Sequence, residues 1–401
     1  MSDTSGTQLP VLIAGGGIGG LSAALALSRT GRRVHLLEQA AQFREIGAGI
    51  QLGPNAFHVF HRLDLTEAIT RVAAFPEALV VMDSLSADEL ARIPVGPEFR
   101  ARFGYPYALV HRADLHAALL EACRKSPLVT LSTSRQVLEL DDDGDRVTVR
   151  LSGDEVLEGA ALIGADGLWS TVRTFVVGDA KPRVSGHIAY RAVMPTSAVP
   201  TPNRRNDMMI WVGPKTHLVH YPLRRGELFN LVAVFHSDRY EEGWDTYGEV
   251  DELNLRFAGT RPEVRGMLAK IDSWRMWVLC DREPVANWSK GRVTLLGDAA
   301  HPMLQYLAQG ACMAMEDAVC LADSVIAAGG DWERAFVNYQ QARCLRTTRV
   351  QLTARLYGEV FHAASATRDL RNAYLKARTP QEAFESMAWL YDVRATPNPW
   401  R

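Results

Sequence analysis

Residues 11 to 20, VLIAGGGIGG, join a short apolar run to six positions of which five are glycine. The pattern GxGxxG falls on Gly15, Gly17 and Gly20, with Gly19 a further glycine, and LSAALALSRTG continues with helical character. A second apolar run, VHLLE, ends on Glu38, 18 positions beyond Gly20. In this order the first glycine permits a tight turn, the second lets backbone approach a pyrophosphate, and the third lets helix and strand pack closely. Unpaired N–H groups at the helix start complement the phosphates. A carboxylate at Glu38 accepts hydrogen bonds from a ribose and repels a 2'-phosphate. The chemistry is therefore binding of a dinucleotide with an unphosphorylated adenosine ribose, and the motif does not separate FAD from NAD.

Two more polar groups end apolar runs far down the chain. ALIGADGLWSTVR, residues 161 to 173, runs into Asp166 and Gly167, with Ser170 and Arg173 where a helix should open. VTLLGD, residues 293 to 298, runs into Asp298. Beyond it, Ala299 and Ala300 are small enough for a planar ring to approach the backbone, and Pro302 stiffens the loop. Gly310 and Ala311 then open a helix whose positive end would stabilise an anionic ring. A plain helix cap is the alternative role for Asp298. FREIGAGIQLGPNA, residues 43 to 56, reads as a glycine-rich loop containing Gly49, with Arg44 able to reach a phosphate, and Arg112 begins a helix.

These groups must be positioned by a doubly wound α/β sheet, in which ligands lie beyond the carboxyl ends of the strands. From about residue 182 to 280 the pattern changes to alternating, aromatic-containing strands, HIAYRAVM, MMIWVG, THLVHYPL, LFNLVAVF and WRMWVLCD, which predict an antiparallel sheet. Residues 77 to 110 should add strands to it. In THLVHYPL the strand period puts His217, Val219 and Tyr221 on one face and His220 on the other. His217 and Tyr221 then stand about 13 Å apart along the backbone, one able to meet a phenol and the other a carboxylate. A half-buried sheet with ordinary polar residues accounts for the same pair.

Residues 311 to 360 read as helical with a break at Gly329 and Gly330, and the tail ending in TPNPWR is undecided between packed and loose. The expected division is a discontinuous nucleotide-binding domain, residues 1–76, 111–181 and 281–360, a substrate domain, residues 77–110 and 182–280, and a C-terminal helical or tail segment, residues 361–401.

The three motifs in this order resemble the single-component FAD-dependent aromatic hydroxylases, the group A flavoprotein monooxygenases, over residues 11 to about 320. The resemblance implies a p-hydroxybenzoate hydroxylase-like fold: a Rossmann-like FAD-binding domain, a mostly antiparallel substrate sheet and a C-terminal helical region. It implies FAD as cofactor, NADH or NADPH as transient co-substrate, with NADH preferred, and O2. Asp298 would bind the ribityl-pyrophosphate part of FAD, Asp166 and Gly167 both FAD and the nicotinamide, and Arg112 the FAD. Gly15, Gly17, Gly19, Gly20, Glu38, Arg44, Gly49, Gly310 and Ala311 complete the expected cofactor set.

Within the family the resemblance is narrowest to members that convert 3-hydroxybenzoate to gentisate. It runs through AYRAV, THLVHYPLR, CDREPVANW, HPMLQYLAQGACMAMEDA and WLYDV. It implies substrate contacts from His217, Tyr221 and Gln305. A neutral His217 imidazole would share the phenol proton, Gln305 would orient the phenol oxygen, and Tyr221 would donate to the carboxylate. Oxygen transfer from a peroxyflavin needs no protein nucleophile, only orientation and a dry pocket. A decarboxylating salicylate hydroxylase shares every FAD motif. A NAD-dependent dehydrogenase or bare nucleotide-binding module would account for Gly15 to Glu38 but not for Asp166 or Asp298.

Composition agrees with an enzyme of small molecules. The 401 residues carry 44 Lys and Arg against 46 Asp and Glu, with no extended basic run, so nucleic acid is not an expected partner. Five cysteines are widely spaced without a CxxC pair, which predicts neither disulfides nor a metal centre. Residues 11 to 28 are uncharged, but their glycines interrupt any single helix and residues 1 to 10 carry Asp3 and no basic leader. A cytoplasmic location, no membrane span and a homodimer are the expectations.

Overall fold

The computed structural model describes residues 9–44, 48–237 and 246–393. The start of the chain, where Asp3 argued against a basic leader, and the TPNPWR tail lie outside the described residues.

Strands Val11–Ala14, Val34–Leu37, Ala161–Gly164 and Val293–Leu295 are short, apolar and almost wholly buried, as strands covered on both faces must be. They pair in parallel, with Ala14 opposite both Gly164 and Leu37, and Gly164 opposite Leu295. That register brings the ends carrying Gly15, Glu38, Asp166 and Asp298 to one edge. Val129–Ser132 closes one side of the sheet and the antiparallel Ser289–Lys290 the other. Helix Ile18–Ser28 follows the glycines, so the uncharged run is a strand, a turn and a helix. Among the described residues no helix is long and apolar enough to cross a membrane.

The second sheet has eight strands in the order Thr246–Tyr247, Arg275–Asp281, Arg183–Pro195, Leu228–His236, Thr216–Leu223, Met208–Gly213, Ala78–Asp83 and Glu89–Pro94. It is antiparallel throughout except where Met208–Gly213 lies parallel to Ala78–Asp83. The glycine-rich stretch 43 to 56 is not a loop to its end. Gly49–Leu52 is a strand paired with Ala108–His111, and a helix starts at Pro54, because the partner strand and Asn230 satisfy its backbone groups. The hairpin Val137–Asp142, Val147–Leu151 and Val156–Gly159, not singled out from sequence, buries Val147, Val149 and Leu151 against the parallel sheet.

Helix Gly310–Ala327 crosses Ile18–Ser28, where a side chain at Gly19 would stand 2.9 Å from Leu296 and 3.3 Å from Ala314. Glycine at 19 thus lets the two helices approach without displacing Leu296. After the break at Gly329 and Gly330, helix Trp332–Phe361 runs 30 residues, about 45 Å at 1.5 Å per residue. It reaches from the parallel sheet, where the Tyr339 hydroxyl donates to the Leu295 carbonyl at 3.1 Å, to the other sheet, where Phe361 packs on His217. The undecided segment packs: Ser365–Ala377 and Pro380–Tyr391 are helices, the latter started by a Thr379/Glu382 capping box. Its last residue, Tyr391, sits against Phe99, Phe103 and Tyr107.

A buried ion network ties these parts together. Arg343 donates to Asp317 and to Glu316, each at 2.6 Å, and Arg346 donates to Glu316 at 2.7 Å. Burial pushes both carboxyls up, but the adjacent arginines, and for Asp317 also His301, outweigh it and hold each at about 2. Removing one member strands an uncompensated charge. Arg343→Met should therefore cost about 3 kcal/mol or more, read as a lower urea midpoint; a change under about 1 kcal/mol would place the network outside the stability of the fold.

Candidate functional site

Gly15, Gly16, Gly17, Glu38, Asp166 and Gly167 line one cleft of about 370 Å³ at the carboxyl edge of the parallel sheet. Gly15 has φ +104°, and a side chain there would lie 2.3 Å from the Ala165 carbonyl, so the two turns touch only because Gly15 is glycine. Glu38 Oε2 accepts from the Gly16 N–H at 2.7 Å and Oε1 from the Ala40 N–H at 2.8 Å, which fixes the carboxylate at the rim. A bare backbone cradle at a helix start, with a fixed acid beside it, fits the pyrophosphate and ribose of FAD. Asp166 lines the same cleft, with its oxygens holding the start of helix Thr171–Val176 through Ser170 Oγ at 2.5 Å and the Thr171 N–H at 2.8 Å. Burial raises its pKa. Gly167 takes φ +77° in the turn between them.

Asp298 lies in a short turn, Gly297–Ala299, and its Oδ1 approaches the position a side chain at Gly310 would take to 3.7 Å. The acid and the start of helix Gly310–Ala327 thus face each other across the loop that contains Pro302 and Gln305. Among the described residues no side chain caps that helix start, and N–H groups at a helix start suit an anion. Ala308, two residues earlier, is left-handed at φ 52°, a local strain at the mouth of the site. The loop is held by Arg173, buried at 1% exposure, whose Nη1 donates to the Ala299 and Ala300 carbonyls at 2.8 and 2.7 Å and whose other nitrogens pair with Asp179. Arg173 therefore ties the Asp166 motif to the Asp298 motif. Arg112 starts helix Arg112–Lys125, its N–H bound to the Ala48 carbonyl, and Arg44 is exposed.

The second sheet supplies a face of alternate residues. Strand register aligns His217, Val234 and Ala189 in one row, Val219, Val232 and Arg191 in the next, and Tyr221, Asn230 and Val193 in a third. The face expected from the strand period is present. His220 points the other way and accepts from the Trp211 indole N–H at 3.1 Å. Gly49 has a reason the sequence did not give: its N–H donates to Asn230 Oδ1 at 2.7 Å, and a side chain there would collide with the Tyr221 ring at 2.5 Å. Burial raises the Tyr221 phenol well above its ordinary value.

Gln305 is held over the middle row by Arg191, whose Nη2 donates to its side-chain oxygen. The Arg191 guanidinium lies 5.1 Å over the Trp277 ring, and burial and then Arg112 push its pKa down to about 10, so it is a cation at neutral pH. Beside it a cavity of about 450 Å³ is bounded by Ala48, Met194, Lys270, Arg275 and Trp277, large enough for a small planar ligand. Sequence reasoning missed Arg191. The signal was there in AYRAV, where the strand period sets an arginine between two apolar inward positions.

His217, 3% exposed, is the first of a chain of imidazoles. Its Nδ1 lies 2.7 Å from His362 Nε2, and His362 Nδ1 lies 2.9 Å from His236 Nε2. His187 stacks 4.2 Å from His236 and shares a 2.5 Å hydrogen bond from Nδ1 to the Tyr306 hydroxyl. Burial, then His187, pushes His217 down to about 3; burial, then His236, pushes His187 down to about 4. His362 and His236 are lowered too, chiefly by burial. No spacing in sequence joins residues 187, 217, 236 and 362, and only the fold gathers them. Such groups bind a proton in the unfolded chain near pH 6.5 but not in the native one, so stability falls as pH drops below that value. His217 alone should remove roughly 2 kcal/mol at pH 5 relative to pH 8, and His217→Asn should flatten the pH dependence of the urea midpoint; an equally steep profile would mean the native imidazole is charged.

Residues 8–350 match the family model described as FAD binding domain. The chain is 48% identical over 391 residues to 3-hydroxybenzoate 6-hydroxylase of Polaromonas naphthalenivorans (strain CJ2), covering 98% of this chain and 97% of that one. Among solved structures it is similar to a salicylate hydroxylase substrate complex, with TM-score 0.82 and 26% identity over 97% of this chain and 96% of that one. It is also similar to Klebsiella pneumoniae HpxO complexed with FAD and uric acid, with TM-score 0.84 and 26% identity over 94% and 95%. The dehydrogenase alternative falls with these matches. The chain belongs to the FAD-dependent aromatic hydroxylases and is a flavoprotein monooxygenase.

Proposed function

We propose that this monooxygenase hydroxylates 3-hydroxybenzoate at the carbon para to its phenol, giving gentisate with NADH and O2 as co-substrates. The observation that carries the reading is the 48% identity, over nearly all of both chains, to a 3-hydroxybenzoate 6-hydroxylase. The cofactor would be held by Gly15, Gly17, Glu38, Asp166, Asp298 and the start of helix Gly310–Ala327. Reduced FAD held there would supply the chemistry, an electrophilic oxygen atom drawn from O2.

The chain's own residues prepare the ring for that oxygen. Electrophilic attack is faster on a phenolate than on a phenol, so a group that takes the phenol proton accelerates it. His217, kept neutral by burial, which pushes its pKa down to about 3, is placed to accept the phenol's hydrogen bond and to share that proton rather than to hold it, which still moves electron density into the ring. Its Nδ1 is engaged by His362, which leaves Nε2 for the phenol, and the chain through His362 to half-buried His236 gives the proton an exit. Arg191 binds the Gln305 oxygen, so the Gln305 NH2 is the end that meets the substrate oxygen. Tyr221, kept protonated by burial, donates to the carboxylate, and the Arg191 charge beside it favours an anionic substrate. The apolar residues between these polar ends, Val219, Val232 and Val234, keep water away from the reacting carbon.

Two measurements test the reading. Aerobic NADH consumption by FAD-loaded protein with 3-hydroxybenzoate should yield gentisate on chromatography; catechol from salicylate, with 3-hydroxybenzoate ignored, would replace it with the decarboxylating reaction. His217→Asn should lower kcat about 100-fold or more at unchanged flavin content, and a change smaller than about threefold would remove His217 as the proton acceptor.

A further inference from the structure

His187, His236 and His362 come from two strands and from the end of helix Trp332–Phe361, and each offers one ring nitrogen within 4.8 Å of the other two. Their chemistry suits a cation. All three imidazoles are held neutral, as ligands must be, with burial the largest cause in each case. Outer partners already orient two of them. The Tyr306 hydroxyl occupies His187 Nδ1, which leaves Nε2 for an ion, and His217 occupies His362 Nε2, which leaves Nδ1. His236 Nε2 lies 2.9 Å from His362 Nδ1, and a modest parting of the rings admits an ion at the usual 2.0 to 2.1 Å Zn–N distance. His236 is only half-buried, so the cluster has an entrance, and Glu359 offsets the nearby Lys215 and Arg256. Three histidines with a fourth position left to water is a common zinc arrangement.

We propose that His187, His236 and His362 form a site for one divalent cation of the Zn2+ class, and that its occupation fixes His217 with its proton on Nε2. The proton count decides the second part. In the metal-free chain His217 can hold its proton on Nδ1, donating to His362 Nε2, while His362 Nδ1–H donates to His236 Nε2. Nε2 of His217 is then open to accept. An ion on His362 Nδ1 obliges that ring to carry its proton on Nε2 and donate to His217 Nδ1. Each ring keeps one proton, but His217 now carries its own on Nε2 and cannot accept another. The inhibitory consequence rests on the proposed role of His217 as proton acceptor; the binding does not.

Zn2+ alone, titrated calorimetrically into FAD-loaded protein free of any histidine tag, should bind at one ion per chain. Affinity should fall at least tenfold in His236→Ala and in the milder His236→Gln, whose side chains sit at the half-buried edge where folding is least at risk. Equal stoichiometry and affinity in both variants would overturn the site. Histidine 15N spectra of the metal-loaded protein should show His217 protonated on Nε2, and a spectrum unchanged by Zn2+ would overturn the coupling. Calorimetry needs no substrate, so a wrong aromatic substrate would leave the Zn2+ result standing, and loss of Zn2+ binding would leave the gentisate assay standing.

Discussion

The buried charges at Glu316 and Asp317 are the constraint on which the site depends. Two adjacent carboxylates on one helix, taken out of water, are tolerable only with cations in direct contact. Arg343 and Arg346 supply them from helix Trp332–Phe361 and lock it against helix Gly310–Ala327. The same carboxylates then bind everything around the cofactor end. Asp317 accepts from the Gly297 N–H at 3.2 Å and from His301 at 2.5 Å, which sets the turn bearing Asp298. Glu316 accepts from Asn55 at 2.8 Å, and Arg346 donates to the Leu390 carbonyl at 2.7 Å, which draws in the helix after Gly53 and the end of the chain. A mispaired charge here would cost several kcal/mol, so the network specifies one arrangement as well as stabilising it.

The face of the second sheet that carries His217 works by the opposite device. Several of its polar groups are paired with one another: His217 with His362, Gln305 with Arg191, and His187 with Tyr306. In a site of low dielectric each such bond is strong and each unpaired group is costly. The result is a rigid face with a small number of unengaged atoms, among them the second nitrogen of His217 and the NH2 of Gln305. Helix Trp332–Phe361 joins the two regimes, since it carries Arg343 and Arg346 and leads into His362 at its carboxyl end.

Much of the cofactor end was legible because its determinants are local. A strand, a glycine turn, a helix and an acid within about thirty residues form one physical unit, and Gly15, Gly17, Glu38, Asp166 and Gly167 do line one cleft. The two-residue period of THLVHYPL likewise put His217 and Tyr221 on one face. What local reading did not reach was the packing role of two glycines: a side chain at Gly19 would meet Leu296, and one at Gly49 the Tyr221 ring, both distant in sequence. The stretch 43 to 56 read as a loop because its strand partner, Ala108–His111, lies more than fifty residues away.

The sequence by itself determined the dinucleotide cradle, the carboxyl-edge acids and the family, since each is written in residues whose spacing along one strand or turn is fixed by backbone geometry. The tertiary structure alone decided that Arg173 clamps the Asp298 loop, that Arg191 orients Gln305, and that His187, His217, His236 and His362 form one chain. The physical reason is that side-chain partnership depends on strand order and helix crossing. Those are set by which buried faces meet and by charge neutralisation between distant segments; the period along the chain shows which face is buried but not what covers it.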